Sequence, residues 1–464
     1  VLQDLRWSHP PNAFLILSLL FGTALAAIIP PFQAADEPYH FLRAFQVSEG
    51  VFVSRQTDVR GIAVGYFPAG LYRVWLPFSH IGFHPETKTS AAAIRDAMHV
   101  RLDDNNRMWI TIATTAHYSP VCYLPQAAGI FLGRAIGLPP LGLMYLGRLA
   151  NVFMWAIAGY LALRLAPGIG RPLFLLLLMP MPLYVAATNS ADAPTNALAV
   201  LLTALVCHLA TSCGQAGFGK MILLALLAIG VCLCKFVYVP LLLLLLLIPR
   251  EKLGGGKRAD AILAIVIAAG ALAAGMWIGA TSHLESRINL SPSVSAPEQM
   301  SFLLHHPLSL FQALLESIRR RGWTYLESYV GLIGWLDQYV PAPLVVIYLI
   351  ALALACLLQE GKGQLPPAGK SAAVILPAVG ASGLAIAILS YLYWTPVGGS
   401  YIDGIHGRYF IALSPAVFLL LCALTRQAQI SWKNAPKAID AALPVFSILV
   451  CLWFTMQVWL RYYG

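Results

Sequence analysis

The sequence predicts an all-α polytopic membrane protein, and three observations carry that prediction. Of the 464 residues, 59% are hydrophobic and only 11% are charged, against roughly 25% charged in a soluble domain. Mean hydropathy is +0.72. The acids and bases are confined to the segments between apolar runs. The formal charge of +10 is therefore no nucleic-acid signal, because the basic residues form no solvated face and much of the excess fits positive-inside loops.

Asn12–Ile29 is long enough to cross a bilayer as one helix. The start, Val1 to Trp7, carries a charge but no small-residue cleavage site follows it, so the run is expected to be a retained first span. Pro30 and Pro31 stop it, since proline lacks the N–H that continues the ladder and restrains the residue before it. Asp36 and Glu37 follow side by side. Then comes an amphipathic helix signal, with Phe41, Leu42 and Phe45 on one stripe and Glu49-Gly50 closing it. Two readings of Asp36 weigh evenly. Either it caps that helix, with Pro38 in the first turn, or it is a rigidly held carboxylate available for chemistry.

A long, mostly polar segment runs on to about Thr115 with charges of mixed sign. It is too long for a turn and too aromatic for a linker, so a folded loop with short surface helices is expected. The chain is read as one integral-membrane domain over 1–464, with a large extracytoplasmic loop at 31–143, a transmembrane core at 144–281, a second extracytoplasmic region at 282–342 and C-terminal spans at 343–464. Eight cysteines lie mostly within apolar runs, where cysteine behaves as a small hydrophobe. Neither disulfides nor structural zinc are expected.

After His117-Tyr118-Ser119-Pro120, the apolar runs are Val121–Gly133, Met144–Leu163, Pro172–Ala187, Ala197–Leu209, Met221–Cys234, Phe236–Ile248, Ile262–Thr281, Pro343–Leu358, Ala372–Tyr393, Tyr409–Leu424 and Ala441–Leu460. Arg250 to Arg258 is the most basic short loop and is expected to be cytoplasmic. Alternation then puts Arg164, Arg171, Lys220, Lys362, Lys370, Arg426, Lys433 and Lys437 on the same side. That parity holds if Val121–Gly133 lies at the membrane surface and Lys235 sits in an outside turn between two short spans. It also holds if Val121–Gly133 crosses and Met221–Ile248 is one bent helix. The first version is preferred and gives eleven spans with the C-terminus outside.

In that version Asp36, Glu37, His40, His117, Arg148, Asn189, Asp192, Lys235, Arg319 to Arg321, Asp337, Tyr401, Asp403, His406 and Arg408 share one face. Ionisable residues at a membrane boundary tend to be paired or functional, although long ones can simply snorkel. Lys235 either snorkels or meets an anion, and anion binding is favoured. The triple arginine reads equally as surface charge or as a phosphate site. Asp192 reads locally as a helix cap. His305-His306 has no acids at ligand spacing. No Walker-type loop, dinucleotide fingerprint, HExxH or nucleophile elbow is present.

Asp36-Glu37-Pro38-Tyr39-His40-Phe41-x-Arg43-Ala44 resembles the signature of the bacterial membrane family called domain of unknown function 2142, related to the GT-C glycosyltransferases. The resemblance continues through Tyr123 to Gln126, Gly147 to Asn151, Ser190 to Asn196 and Lys235-Phe236-x-Tyr238. It ends with Gly334 to Asp337 and Gly407 to Phe410. It implies a GT-C-like helical fold in the bacterial inner membrane that uses a polyprenyl-phosphate-linked sugar on the outer face, with an envelope glycan or lipid as acceptor. By position, the resemblance makes Asp36 the catalytic base, with Glu37 assisting. Lys235, Arg148 and Arg408 become candidates for the donor phosphate. His40, His117, Tyr118, Asp192, Asp337, Tyr401 and Asp403 become candidates for substrate binding. Relatives more often carry a Pro-Pro pair where this chain has Ser119-Pro120. A lipid-phosphate leaving group needs fixed positive charge and an acceptor hydroxyl needs a base within reach. No metal or other cofactor is required. The alternative is a flippase for lipid-linked sugars, with the same polar residues lining a path.

Overall fold

The computed structural model describes residues 10–284, 293–358, 364–427 and 435–464. The expectations for Val1 to Trp7 and for Lys362 and Lys433 lie outside them, as does the side chain of Lys437.

Helix α1 (Pro10–Ile28) ends at the proline pair, and α2 (Glu37–Ser48) follows with its predicted stripe of Phe41, Leu42 and Phe45 buried. The first loop is folded, with short helices α3 (Ala69–Trp75) and α4 (Ala91–Ala97). It also contains a feature absent from the sequence reading. Strand β1 (Val64–Pro68) pairs antiparallel with β2 (Arg107–Thr111), and the Tyr66 and Trp109 rings meet across the pair at 5.0 Å. Neither Val64–Pro68 nor Arg107–Thr111 alternates apolar with polar residues, the pattern that marks a half-buried strand, and their pairing spans a loop that only the tertiary structure closes.

Next come α5 (Leu124–Ala135) and α6 (Pro140–Leu165). With 12 residues, α5 reaches only about 18 Å, well short of the roughly 30 Å hydrocarbon core. Helices α7 (Gly170–Leu178) and α8 (Pro180–Ala186) form a pair bent by 64°; Pro180 and Pro182 sit at the bend, where a ladder cannot continue. The chain then runs through α9 (Asp192–Thr211), α10 (Phe218–Cys234), a 3₁₀ segment Phe236–Leu247 and α11 (Gly256–Thr281). Helices α12 (Ala296–His305) and α13 (Ser309–Val330) form the second extended region, followed by a two-residue pair, β3 (Leu332–Ile333) and β4 (Gln338–Tyr339). Helices α14 (Ala342–Leu357) and α15 (Ala368–Tyr393), a 3₁₀ turn Gly407–Leu413, α16 (Ser414–Gln427) and α17 (Ala435–Tyr462) complete the bundle.

Among the described residues, seven helical stretches are long and apolar enough to cross a membrane, and the bent α7–α8 pair makes an eighth. The sequence reading expected eleven. The difference lies in α10, Phe236–Leu247 and α14, which are apolar but short.

Hydrogen bonds sort the helix ends into two groups. The first α10 turn meets the chain after the 3₁₀ segment, where Ala216 N donates to Lys252 O at 2.9 Å, and Lys252 Nζ reaches Gly214 O at 2.9 Å. Helix α10 and Phe236–Leu247 therefore run antiparallel, and Lys235 occupies the turn at the far end. Lys370, at the start of α15, reaches Leu247 O at 3.1 Å. Arg171, at the start of α7, pairs with Asp440 in α17 at 2.7 Å and donates to Leu358 O. The basic residues expected to share a side, where described, thus gather at one end of the bundle. The end of α1, the start of α9 and the Lys235 turn gather at the other.

Candidate functional site

The two acids after α1 have opposite surroundings. Glu37 is buried, and its carboxylate takes Arg148 Nε at 2.8 Å, Arg148 Nη2 at 2.6 Å and the Asn189 N–H at 3.0 Å. The remaining Arg148 donors go to the carbonyls of Ala26, Ile29 and Pro30 at 2.6 to 2.9 Å. The side chains are 1% and 0% exposed. The pair locks the carbonyl end of α1, whose last C=O groups have no partner within the helix, onto α6. This corrects two expectations. Arg148 has no donor left for a phosphate, and Glu37 faces no space in which it could meet a substrate.

Asp36 begins α2 in the left-handed conformation, φ 59°, and makes no side-chain cap bond. The capping reading is thereby excluded, because a cap residue takes extended dihedrals and its side chain accepts an N–H from the first turn. Left-handed backbone is costly for a residue with a Cβ, less so for aspartate than for most. Phe32 and Leu336 also have positive φ, 65° and 66°, and Leu336 lines a small cleft beside the Ala34-Ala35 turn. Its lining includes Ala34, Ala35, Ser190, Gly334, Leu336 and Arg408. Strain held by surrounding structure concentrates at functional sites. Here the holding is visible, since Gln33 O accepts the hydroxyls of Tyr184 at 3.1 Å and Tyr462 at 2.9 Å, while Gln33 Nε2 donates to Phe78 O at 2.8 Å.

Beside Arg408, Lys235 pairs with Asp192. Asp192 is the first residue of α9, and Lys235 breaks the ladder between two apolar segments. Arg408 Nε lies 3.6 Å from the other Asp192 oxygen and has no hydrogen-bond partner among the described residues. Asp36 sits within electrostatic range of both Arg408 and Asp192. Burial is the main influence on its carboxyl and raises its pKa; Arg408 opposes that and Asp192 adds to it.

Aromatic rings form the walls. Lys235 Nζ lies 5.7 Å from the Tyr118 ring and 5.0 Å from the Tyr409 ring, and Arg408 lies 5.5 Å from Tyr409. Cations over aromatic faces are held by the ring quadrupole. His40 Nδ1 is 2.7 Å from the Tyr123 hydroxyl, and burial holds its imidazole down to about 3. His406, beside Arg408, is pushed down to about 3 by burial and then by that guanidinium. Both rings are neutral near pH 7, which leaves Lys235 and Arg408 as the cations here, beside the acids Asp36 and Asp192.

The structure therefore brings together Asp36, His40, Tyr118, Asp192, Lys235 and Arg408 of the expected residues. His117 adjoins them, and its carbonyl accepts Trp277 Nε1 at 2.7 Å. Asp337 adjoins the lining residues Gly334 and Leu336 but is buried against Arg461 at 2.8 Å. Tyr401 and Asp403 belong to a neighbouring group, with Asp403 paired to Arg321 at 2.8 Å and Tyr401 under Arg320 and Arg321. Among the described residues no cluster of three or more His, Cys, Asp or Glu could hold a metal ion.

A family model described as "Predicted membrane protein (DUF2142)" matches residues 19–417. The chain belongs to the DUF2142 family. No curated protein matches it. The DUF2142 match takes in every member of the cleft from Asp36 to Tyr409, while Arg461 and α17 lie beyond it. Tyr123, Tyr409 and His406 are cleft residues to which the sequence reading gave no role. The first two stand inside quoted motifs, but an aromatic in an apolar run gives no sign of whether it faces lipid or a buried cation.

Proposed function

We propose that this DUF2142 member is a GT-C-type glycosyltransferase that moves a sugar from a polyprenyl-phosphate donor to an envelope glycan or lipid acceptor. The observation that supports it most is a carboxylate without hydrogen-bond partners among the described residues, on a strained turn, within electrostatic range of Arg408, which shares Asp192 with Lys235. Asp36 takes the proton of the acceptor hydroxyl as that oxygen bonds to the anomeric carbon. The bond from that carbon to the phosphate oxygen breaks with its electron pair going to the lipid phosphate. Arg408, with an unused Nε, and Lys235 stabilise the charge that develops there. Direct displacement inverts the anomeric centre. The raised pKa of Asp36 suits a base, since proton transfer is most efficient when the base titrates nearer the working pH.

In this proposal the chain lies in the bacterial inner membrane. Gathering Arg164, Arg171, Lys220, Arg250, Lys252 and Arg258 at one end favours that end as cytoplasmic, which turns the cleft outward. Helix α10, Phe236–Leu247 and α14 then cross as short spans, giving eleven. The lipid tail stays in the bilayer while the sugar reaches the interface, and the chemistry as written needs no metal.

The test compares envelope glycans by mass spectrometry in a deletion strain, the strain restored with the wild-type chain, and the strain restored with Asp36→Asn at matched expression. One sugar mass lost on deletion and still missing with Asp36→Asn is the expected result. Full restoration by Asp36→Asn overturns the role of Asp36 and moves transport of lipid-linked sugars ahead.

A further inference from the structure

The second extended region has an outward surface that the cleft chemistry does not use. Helix α13 has three sectors. One packs inward through Ala313, Ser317 and Ser328. A second carries Gln312, Glu316, Arg319, Arg320 and Glu327. The third carries Leu308, Phe311, Leu315, Ile318 and Leu326 at spacings of three, four or eight, which is one stripe of a helix. That stripe is exposed and continues onto α12, with values from 39% at Leu326 to 76% at Leu304. A water-facing helix would not hold so long an apolar stripe beside its polar one.

What covers it follows from where α13 is docked. Ala313 packs with Ala387 and Tyr391 of α15, a helix long and apolar enough to span. Ala387 lies six residues before the end of α15, or about 9 Å into the span. A stripe at that level meets the boundary of headgroups and acyl chains, the depth of roughly 5–10 Å at which interfacial helices bury their apolar faces. The adjoining polar sector carries Arg319 and Arg320, which share Glu316 as their acid and stay solvent-facing, the Arg319 side chain 72% exposed.

We infer that α12 and α13 form an interfacial element whose apolar stripe is covered by lipid and whose arginine strip takes lipid phosphate headgroups. It is also the cradle of the cleft loop. Ser317 Oγ accepts the Ile402 N–H at 2.7 Å and Ser328 Oγ accepts the Gly407 N–H at 2.8 Å, one residue before Arg408. Lipid on one side of α13 is thereby coupled to the arginine on the other. The inference needs only a membrane and stands apart from the transferase reading.

The full chain in lipid nanodiscs tests it. In a Cys213→Ser background, Leu315→Cys, Phe311→Cys and, as the polar-sector control, Gln312→Cys are labelled with an environment-sensitive fluorophore. Brominated phospholipid is expected to quench the labels at 311 and 315 at least threefold more than the label at 312. Aqueous iodide is expected to give the reverse order. Labels at 311 and 315 quenched by iodide, or shielded from both quenchers by a protein partner, overturn the inference. For the headgroups, native mass spectrometry is expected to count fewer retained anionic phospholipids on Arg319→Gln/Arg320→Gln than on the wild-type chain. An unchanged count overturns that part.

Discussion

Asp36 and Glu37 are adjacent in the chain, yet Glu37 is sealed against Arg148 while Asp36 lies within electrostatic range of Arg408. The left-handed turn at Asp36 separates them, leaving one side chain against Arg148 and the other near Arg408. The first carboxylate is a structural clamp. The second is the group with chemistry still open to it.

Asp36→Asn is expected to cut transfer at least 100-fold, the lower end of what a general base contributes, without loss of stability. Asparagine accepts the left-handed backbone as readily as aspartate. The folded chain holds the Asp36 proton more tightly than the unfolded chain, so its stabilisation is present below the unfolded value of 3.8 and is lost as pH rises through the higher folded value. Above the folded value the buried carboxylate costs stability, and the amide removes that cost. A thermal melt should give an equal or higher midpoint. For the wild-type chain, kcat/KM should fall as pH drops through the raised pKa, at a higher pH than an ordinary carboxylate would require. A pH–rate profile that stays flat down to the ordinary aspartate range contradicts the assignment.

Glu37→Gln is expected to behave in the opposite way. It leaves the Arg148 guanidinium buried without its counter-ion, which costs about 3–5 kcal/mol. Glu37→Gln/Arg148→Met, which removes both charges, should recover only part of that in a melt, because the carbonyls of Ala26, Ile29 and Pro30 then lose their donor. If Glu37→Gln instead folds like the wild-type chain and loses only activity, the clamp is wrong and Glu37 returns to the chemistry.

Composition and apolar runs were enough to read the bundle, because they are local properties of the chain. The break at Lys235 was legible for the same reason, since a charge between two apolar segments must sit where a helix ends. The fates of Glu37, Arg148 and Asp337 were not legible. Each depends on a partner 111 or 124 positions away, and a buried ion pair reads in sequence like a catalytic one. The β1–β2 pair was missed because each strand carries too little pattern. The expected eleven spans exceed the seven or eight long apolar stretches by α10, Phe236–Leu247 and α14, where apolar character was legible but helix length was not.

Gly407 offers a probe of how Arg408 is delivered. A Cβ placed there would lie 1.9 Å from Tyr325 O and 2.5 Å from Tyr329 N, and neither backbone atom can move without shifting α13. Gly407→Ala is therefore expected to displace the Arg408 turn and raise the donor KM more than tenfold. The bundle itself should stay folded, as circular dichroism would report. An unchanged donor KM would mean that the turn position does not set the site.

Asp337→Asn separates a substrate role from a structural one. Asp337 and Arg461 are 7% and 2% exposed, and Arg461 also donates to the carbonyls of Thr87 at 3.0 Å and His84 at 3.1 Å in the first loop. The pair thus ties α17 to that loop. Asp337→Asn should lower the melting midpoint while leaving KM and kcat unchanged at temperatures where the chain is folded. Lost turnover at an unchanged midpoint would restore Asp337 to the substrate.

Lys235 and Arg408 share Asp192 as their acid, and this arrangement predicts how the donor is held. Lys235→Met removes a buried charge-assisted partner, worth about 1.5–3 kcal/mol, and leaves Asp192 to Arg408 alone. The arginine is then drawn toward Asp192 and away from an incoming phosphate, so donor affinity should fall roughly 10- to 100-fold. Lys235→Arg keeps the charge and should retain much of the affinity. In Lys235→Met/Asp192→Asn the acid no longer holds Arg408, so part of the affinity should return, making the double change less severe than the two losses added together. Titration of a short-chain polyprenyl phosphate into each variant measures this. Strict additivity would mean that Asp192 does not control the arginine, and that the two cations act as separate sites.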